Sequence, residues 1–370
     1  MKKINSFILV LIFFIPLILE HFLNILGTFI KLTLLIFFFF HVIRIRSVFI
    51  LLIPFIFVFI FNLNFDFGFG IINEVVQLIY FPVCFFYFLN FTKNKHTILR
   101  LTHVLSYTII FSSIFFLLNF FTQDQLITEE LAVLSNKIEG DSSKFFHFGF
   151  FEHPQGASKL YVLALIIILF KKEKNIFDFL AMILGIYLVY ITYVRLAWLA
   201  LLFGCVLFAF NQKANFLKFF LITFGILISF YIIPLINLRL FNSSDVIDIT
   251  SISSGRDLII LNSILFIQNS SFSDIILGNG FLSVMNEIGY AHNRLFEIFL
   301  FGGTFSLLLW MIIYRKIYII IKTFIKGNYL AISILFLIGL SLILSHGFSP
   351  YLAIISSMAL ITSKQNHDHE

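Results

Sequence analysis

Cysteine and charge are what this chain has least of. Its two cysteines, Cys84 and Cys205, fall inside apolar stretches with no disulfide or metal-ligand pattern around them, which leaves them as small buried hydrophobes. Charged residues make up 12% of 370 positions against 60% hydrophobic, and the mean hydropathy is +1.02. A water-soluble globule with a polar skin cannot be assembled from that ratio, so the solvent must be a bilayer. Two-residue alternation is missing as well. Much of the phenylalanine, 54 residues in all, lies in unbroken runs such as Ile36 to Phe40, which argues against an outer-membrane barrel with its alternating strands. There is no internal repeat and no low-complexity tail beyond the polar end from Ser363 to Glu370. No small-residue cleavage site follows Met1-Lys2-Lys3 and the first apolar run, and a second run begins at once, so the first reads as a retained helix.

What is present is a series of apolar runs close to the ~20 residues that cross a hydrocarbon core. They recur at 6–20, 22–42, 48–63, 67–90, 103–121, 157–170, 176–193, 196–210, 217–236, 294–314, 327–345 and 348–363. The expected fold is an all-α polytopic integral membrane protein with about 12 transmembrane helices. With both termini inside, 17 of the 25 lysines and arginines fall on the inner side; seven fall outside (Lys137, Lys144, Lys159, Arg195, Arg239, Arg256 and Arg294), and Lys31 lies within a span, where it snorkels. Positive charge marks cytoplasmic loops, so this split supports the orientation. The net charge of +6 is then a topological signal and not a nucleic-acid-binding surface. Two connections, 122–156 and 237–293, are far longer than the rest, and both lie outside. They divide the chain into five helices over 1–121, a first large loop over 122–156, helices six to nine over 157–236, a second large loop over 237–293, and three helices with a short tail over 294–370.

The polar chemistry is kept in those loops. The first holds Asp124, Glu129, Glu130, Glu139, Asp141 and Glu152, then His153-Pro154-Gln155, a stretch suited to folding against a site. The second holds Ser254-Gly255-Arg256-Asp257, an apolar segment from Leu258 to Ile267, a turn at Gly278-Asn279-Gly280, and His292-Asn293-Arg294-Leu295. Leu258 to Ile267 is too short to span and is expected along the membrane surface or as a lid. Arg195, Arg256 and Arg294 sit at the outer interface, where topology disfavours them. A guanidinium there suits an anionic partner, through bidentate hydrogen bonds to phosphate or carboxylate, although snorkelling would also hold each one at a helix end.

His292 precedes the run that starts at Leu295, with Asn293 placed as a helix cap. Free N–H groups and the positive dipole end meet there, Arg294 opposes that dipole, and a bound anion would relieve the conflict. A neutral imidazole in so positive a setting is a reasonable general base, the alternative being an interfacial or capping His. Glu297, one turn on, would orient His292, bind a hydroxyl or simply favour the helix start. Glu74, with Gln77 inside the fourth span, either lines a sugar-binding cleft or holds helices together as a buried pair. Three Asn-x-Ser/Thr triplets, at Asn90, Asn242 and Asn269, are too common a pattern to carry weight.

In chain order, Ser254-Gly255-Arg256, Gly278-Asn279-Gly280, His292-Asn293-x-Leu295-x-Glu297 and Gly302-Gly303 form a pattern that resembles the O-antigen ligase and polymerase family. Thr192-Tyr193-Val194-Arg195-Leu196-Ala197 looks like that family's Ser-Arg-Ala helix start, with Val194 in place of Ser, and Glu152-His153-Pro154-Gln155 looks like its His-Pro-Asn stretch, with Gln155 in place of Asn. The specific resemblance covers residues 145–312.

The resemblance implies a GT-C-like membrane glycosyltransferase of the bacterial inner membrane, working on the periplasmic side on sugars carried by undecaprenyl diphosphate, with no nucleotide sugar, no cofactor and no metal. Arg195 and Arg256, and with them Arg294, would clamp the lipid diphosphate as the glycosidic bond breaks, and His292 would take the proton of the attacking hydroxyl. Asn293, Glu297, His153 and Glu74 complete the expected substrate contacts. The aromatic-rich helices would hold the polyprenyl tail among the membrane lipids.

Polymerase and ligase share this chemistry and differ in the acceptor, another lipid-linked repeat unit or the lipid A core. Divergence and high Phe content favour the polymerase, for which a chain-length regulator is a further partner to test. Twelve helices would also suit a flippase for lipid-linked oligosaccharides, although transporter sites lie near the midplane, often between repeats with broken helices.

Overall fold

The computed structural model describes residues 95–122, 154–171, 173–192, 194–211, 256–289, 293–325 and 328–344, with scattered helical positions between 33 and 87 and between 356 and 360. All regular structure among the described residues is α-helical. In chain order the helices are α1 (Lys95–Thr122), α2 (Pro154–Phe170), α3 (Ile176–Ile191), α4 (Arg195–Asn211), α5 (Arg256–Asn269), α6 (Phe272–Leu277), α7 (Phe281–Glu287), α8 (Arg294–Ile325) and α9 (Tyr329–Leu344). The expected spans at 103–121, 157–170, 176–193, 196–210, 294–314 and 327–345 each coincide with one of these. The other six expected spans fall largely or wholly outside the described residues, as does the first large loop.

Local sequence explains where the helices start. Pro154 opens α2, where its missing N–H costs nothing. Asn175 and Asp178 form a reciprocal capping box at α3, and Ser271 and Asp274 form another at α6. Asn328 caps α9, accepting from the Ala331 N–H at 3.1 Å. At α4 the cap position is Val194, whose carbonyl accepts the first helical bonds but whose side chain has no acceptor to offer.

Helix α2 is the centre of the bundle. Every residue from Ala157 to Ile168 is buried, and α1, α3, α4 and α9 pack around it. Small residues let two of these neighbours approach closely. A Cβ added at Gly185 of α3 would stand 2.8 Å from Leu165 Cδ2, and one at Gly204 of α4 would stand 2.9 Å from Ile166 Cγ1. One end is tied by Asp178, which is fully buried and accepts from Ser106 Oγ of α1 at 2.7 Å and from the Lys171 ammonium at the end of α2. Asn175 adds a contact to His103 of α1 at 3.3 Å.

Helix α3 is apolar on both faces. Asp178, Ala181, Gly185, Leu188, Val189 and Ile191 face inward, whereas Ile176, Phe179, Leu180, Ile183, Ile186 and Tyr187 face out, Ile183 at 69% exposure. Cys84 is buried and Cys205 partly so, and neither is in a disulfide.

One described helix segment, Arg294–Ile319, is long and apolar enough to cross a membrane. Two features of α8 differ from the sequence expectation of a single span ending at 314. The helix continues to Ile325, carrying Arg315, Lys316 and Lys322 on exposed positions, because the apolar run ends before the helical backbone has reason to stop. It is also broken at Gly303, which adopts φ 67 and ψ −172 and divides it into 294–302 and 304–325.

Candidate functional site

Three helices begin on an arginine: α4 on Arg195, α5 on Arg256 and α8 on Arg294. A cation at a helix N-terminus opposes the dipole, so each placement needs a compensating charge. At Arg294 that charge is supplied within the chain. Its Nη1 donates to Glu297 Oε2 at 2.9 Å, and both side chains are essentially inaccessible, at 1% and 0% exposure. Glu297 also favours the dipole from the first turn, so its position answers both groups. Part of the conflict read from the sequence at Arg294 is thus relieved by Glu297 without an outside anion. Asn293 caps as expected, its Oδ1 accepting the Phe296 N–H at 3.2 Å while its carbonyl accepts from Glu297. Asn293→Ala should lower the thermal midpoint in detergent by the equivalent of about 1 kcal/mol, and an unchanged midpoint would show that the cap bears no load.

A second cation joins this pair. Lys159, in the second turn of α2 and 3% exposed, lies within electrostatic reach of Arg294, and Ser158 beside it is fully buried. Among the described residues the cluster therefore holds two cations and one carboxylate. Tyr314 also lies within electrostatic reach of Arg294. A straight helix would hold two residues at this separation ~30 Å apart, so the bend at Gly303 carries the second half of α8 back toward the first. Sequence reasoning counted Lys159 among the outer cations but not as a site residue. The available signal was a lone lysine inside an apolar run on the side where positive charge is disfavoured.

The bend is held by a backbone clasp. The Asn279 N–H donates to the Leu300 carbonyl at 3.0 Å, the Gly280 N–H to the Phe301 carbonyl at 3.1 Å, and Thr304 Oγ1 to the Ile275 carbonyl at 3.0 Å. Gly278 and Gly303, both at positive φ, face each other across it. A Cβ on Gly278 would land on the Phe301 carbonyl and Gly302 Cα, and one on Gly303 on the Ile276 carbonyl and the Gly278 nitrogen. Two separate pieces of the sequence pattern, Gly278-Asn279-Gly280 and Gly302-Gly303, are therefore one structural unit. The freed carbonyls of the broken helix are met by the chain itself.

Of the other expected site residues, Arg195 and Arg256 are placed by their backbones at the starts of α4 and α5. His292, His153 and Glu74 lie outside the described residues. No group of three or more His, Cys, Asp or Glu with metal-binding arrangement occurs among the described residues. No family model, curated protein or solved structure matches the chain.

Proposed function

We propose that this chain is an O-antigen polymerase, a multi-pass inner-membrane glycosyltransferase that joins undecaprenyl-diphosphate-linked oligosaccharide repeat units on the periplasmic face. The membrane part of the reading is supported by α3, whose exposed residues are large and apolar although its buried face already holds Leu188, Val189 and Ile191 beside Asp178, Ala181 and Gly185. The observation that supports the chemistry is the buried cluster of Lys159 on α2 with Arg294 and Glu297 at the start of α8, because ionisable groups buried in an apolar protein mark a candidate functional site.

In this reading Arg256, Arg195 and Arg294 hold the donor diphosphate, with Lys159 adding to the positive field. The acceptor hydroxyl oxygen attacks the anomeric carbon of the donor, and the bond from that carbon to the diphosphate oxygen breaks. The leaving electron pair goes to the diphosphate, stabilised by the cations, and the hydroxyl proton goes to His292.

The test is the surface polysaccharide profile of a deletion strain carrying either the wild-type chain or His292→Ala. Deletion should leave lipid A core bearing a single repeat unit, and His292→Ala should cut polymerisation by about 10²–10⁴-fold at equal expression. Complete loss of attached sugar with accumulation of lipid-linked polymer would mean a ligase. An unaltered profile would remove both readings.

One observation favours transport, namely the helix broken at Gly303 inside an apolar run. In transporters the unwound carbonyls of such a break coordinate ions. Here the Leu300 and Phe301 carbonyls are taken by Asn279 and Gly280, which leaves the break serving architecture. A flippase would make the deletion strain retain repeat units on the cytoplasmic leaflet, whereas a polymerase defect leaves them exposed outside.

A further inference from the structure

Beside the clasp, α5, α6 and α7 border an open cleft of about 440 Å³, within the ~300–1,000 Å³ range of small-molecule sites. Its lining differs from that of an ordinary apolar pocket. Three carboxamides (Asn262, Asn269, Asn279), two hydroxyls (Ser270, Ser283) and two carboxylates (Asp274, Glu287) surround a short apolar floor of Leu265, Phe266 and Ile288. Among the described residues, no lysine, arginine or histidine lines it. The local hydrogen bonds use only part of this capacity. Ser270 Oγ donates to the Phe266 carbonyl at 2.8 Å and to Asn279 Oδ1 at 3.1 Å. Asp274 is engaged through Oδ2 with the Ser271 N–H and hydroxyl as the cap of α6.

Carboxamides and carboxylates at close spacing, each a donor, an acceptor or both, match a polyhydroxylated ligand, whose every hydroxyl donates and accepts. The apolar floor suits the C–H face of a pyranose ring. The two carboxylates, with no cation among the described lining residues, set the sign of the local field against anions. We propose that this cleft is the saccharide subsite of the second large loop and that it takes neutral or amino sugars while rejecting acidic ones. The proposal rests on the glycosyltransferase reading for its place in the reaction and names the chemical class of sugar that the acceptor presents. Asn279 connects it to the rest of the site, because its backbone N–H holds the broken helix that starts at Arg294 while its side chain lines the cleft.

The test uses the full chain in nanodiscs and saturation-transfer NMR with three probes: methyl glucosaminide, methyl glucoside and methyl glucuronide. The glucosaminide and glucoside should give transfer signals, the glucosaminide the stronger, and the glucuronide none. Glu287→Gln should weaken glucosaminide binding by about threefold while leaving the glucoside unchanged, as loss of one exposed charge pair would. Asn269→Trp and Ser283→Trp, both at exposed positions, should fill the cleft and abolish all transfer without altering the thermal midpoint. Absence of transfer from every probe, binding that survives both tryptophans, or preference for the glucuronide would each overturn the proposal. Because the readout is binding, it is separable from the polysaccharide profile. Saccharide binding with an unaltered profile would sink the polymerase reading alone, and an altered profile without binding would sink only the subsite.

Discussion

Gly303→Ala should abolish recovery of folded protein, or lower its thermal midpoint by more than any other single-methyl change in the described helices. Three costs add at this position. An L-residue at φ 67 and ψ −172, a region open essentially to glycine alone, is strained by about 1–3 kcal/mol. The new Cβ would meet backbone, the Ile276 carbonyl and the Gly278 nitrogen, with no flexible side-chain end to move aside. Relief therefore requires separating α6 from α8, which breaks the bonds from Asn279 to Leu300, from Gly280 to Phe301 and from Thr304 to Ile275, each worth about 1 kcal/mol net. The total, about 4 kcal/mol or more, is comparable to the whole stability of a marginal domain. Gly185→Ala is the matched control. There the intruding methyl meets Leu165 Cδ2, the tip of a side chain that can rotate, and the cost should be about 1 kcal/mol. Size-exclusion profiles in detergent after graded heating measure both. If Gly303→Ala melts with Gly185→Ala, the clasp is not what holds the bend.

Glu297→Gln should destabilise the protein by about 3–5 kcal/mol although it preserves shape, because it leaves the buried Arg294 guanidinium without its carboxylate and with Lys159 within electrostatic reach. The pair as a whole is worth much less. Replacing Arg294 by Met together with Glu297 by Leu should restore most of the stability, since a buried ion pair exchanged for apolar residues of like volume is often neutral. Adding Lys159→Met to Glu297→Gln should also recover part of the loss, which a double-mutant cycle would report as a coupling between α2 and α8. Stability and activity then come apart. The Arg294→Met, Glu297→Leu protein is expected to fold and to have lost polymer formation by about 10²–10³-fold, the scale seen when one charge-stabilising group leaves a transition state. Wild-type polymer length from that protein would show that the cluster serves only the fold.

Helix positions were legible in the sequence because they depend on local composition. Six apolar runs predicted α1, α2, α3, α4, α8 and α9 to within a few residues, except at the N-terminus of α1 and the C-terminus of α8, where charged residues extend the helix beyond the apolar run. The cap at Asn293 was equally local, since side chain and target N–H lie within one turn. Leu258 to Ile267 read as an apolar segment too short to span, and it lies within α5, a helix of 14 residues.

The partnerships were not legible, because they join residues far apart in the chain. Glu297 reads as a helix-start carboxylate or a His292 partner until its burial against Arg294 is seen, and Lys159 reads as a topological charge until α2 carries it toward α8. Gly278-Asn279-Gly280 and Gly302-Gly303 are each only a flexible spot in sequence. Apolar length and charge bias by themselves determined a helical chain built for an apolar solvent with its polar groups gathered in two long segments, since those properties follow from the transfer of side chains one at a time. The break at Gly303, the clasp that satisfies its carbonyls and the buried Lys159, Arg294 and Glu297 cluster were decided by tertiary structure, because each depends on two backbones or two charges meeting where water is excluded.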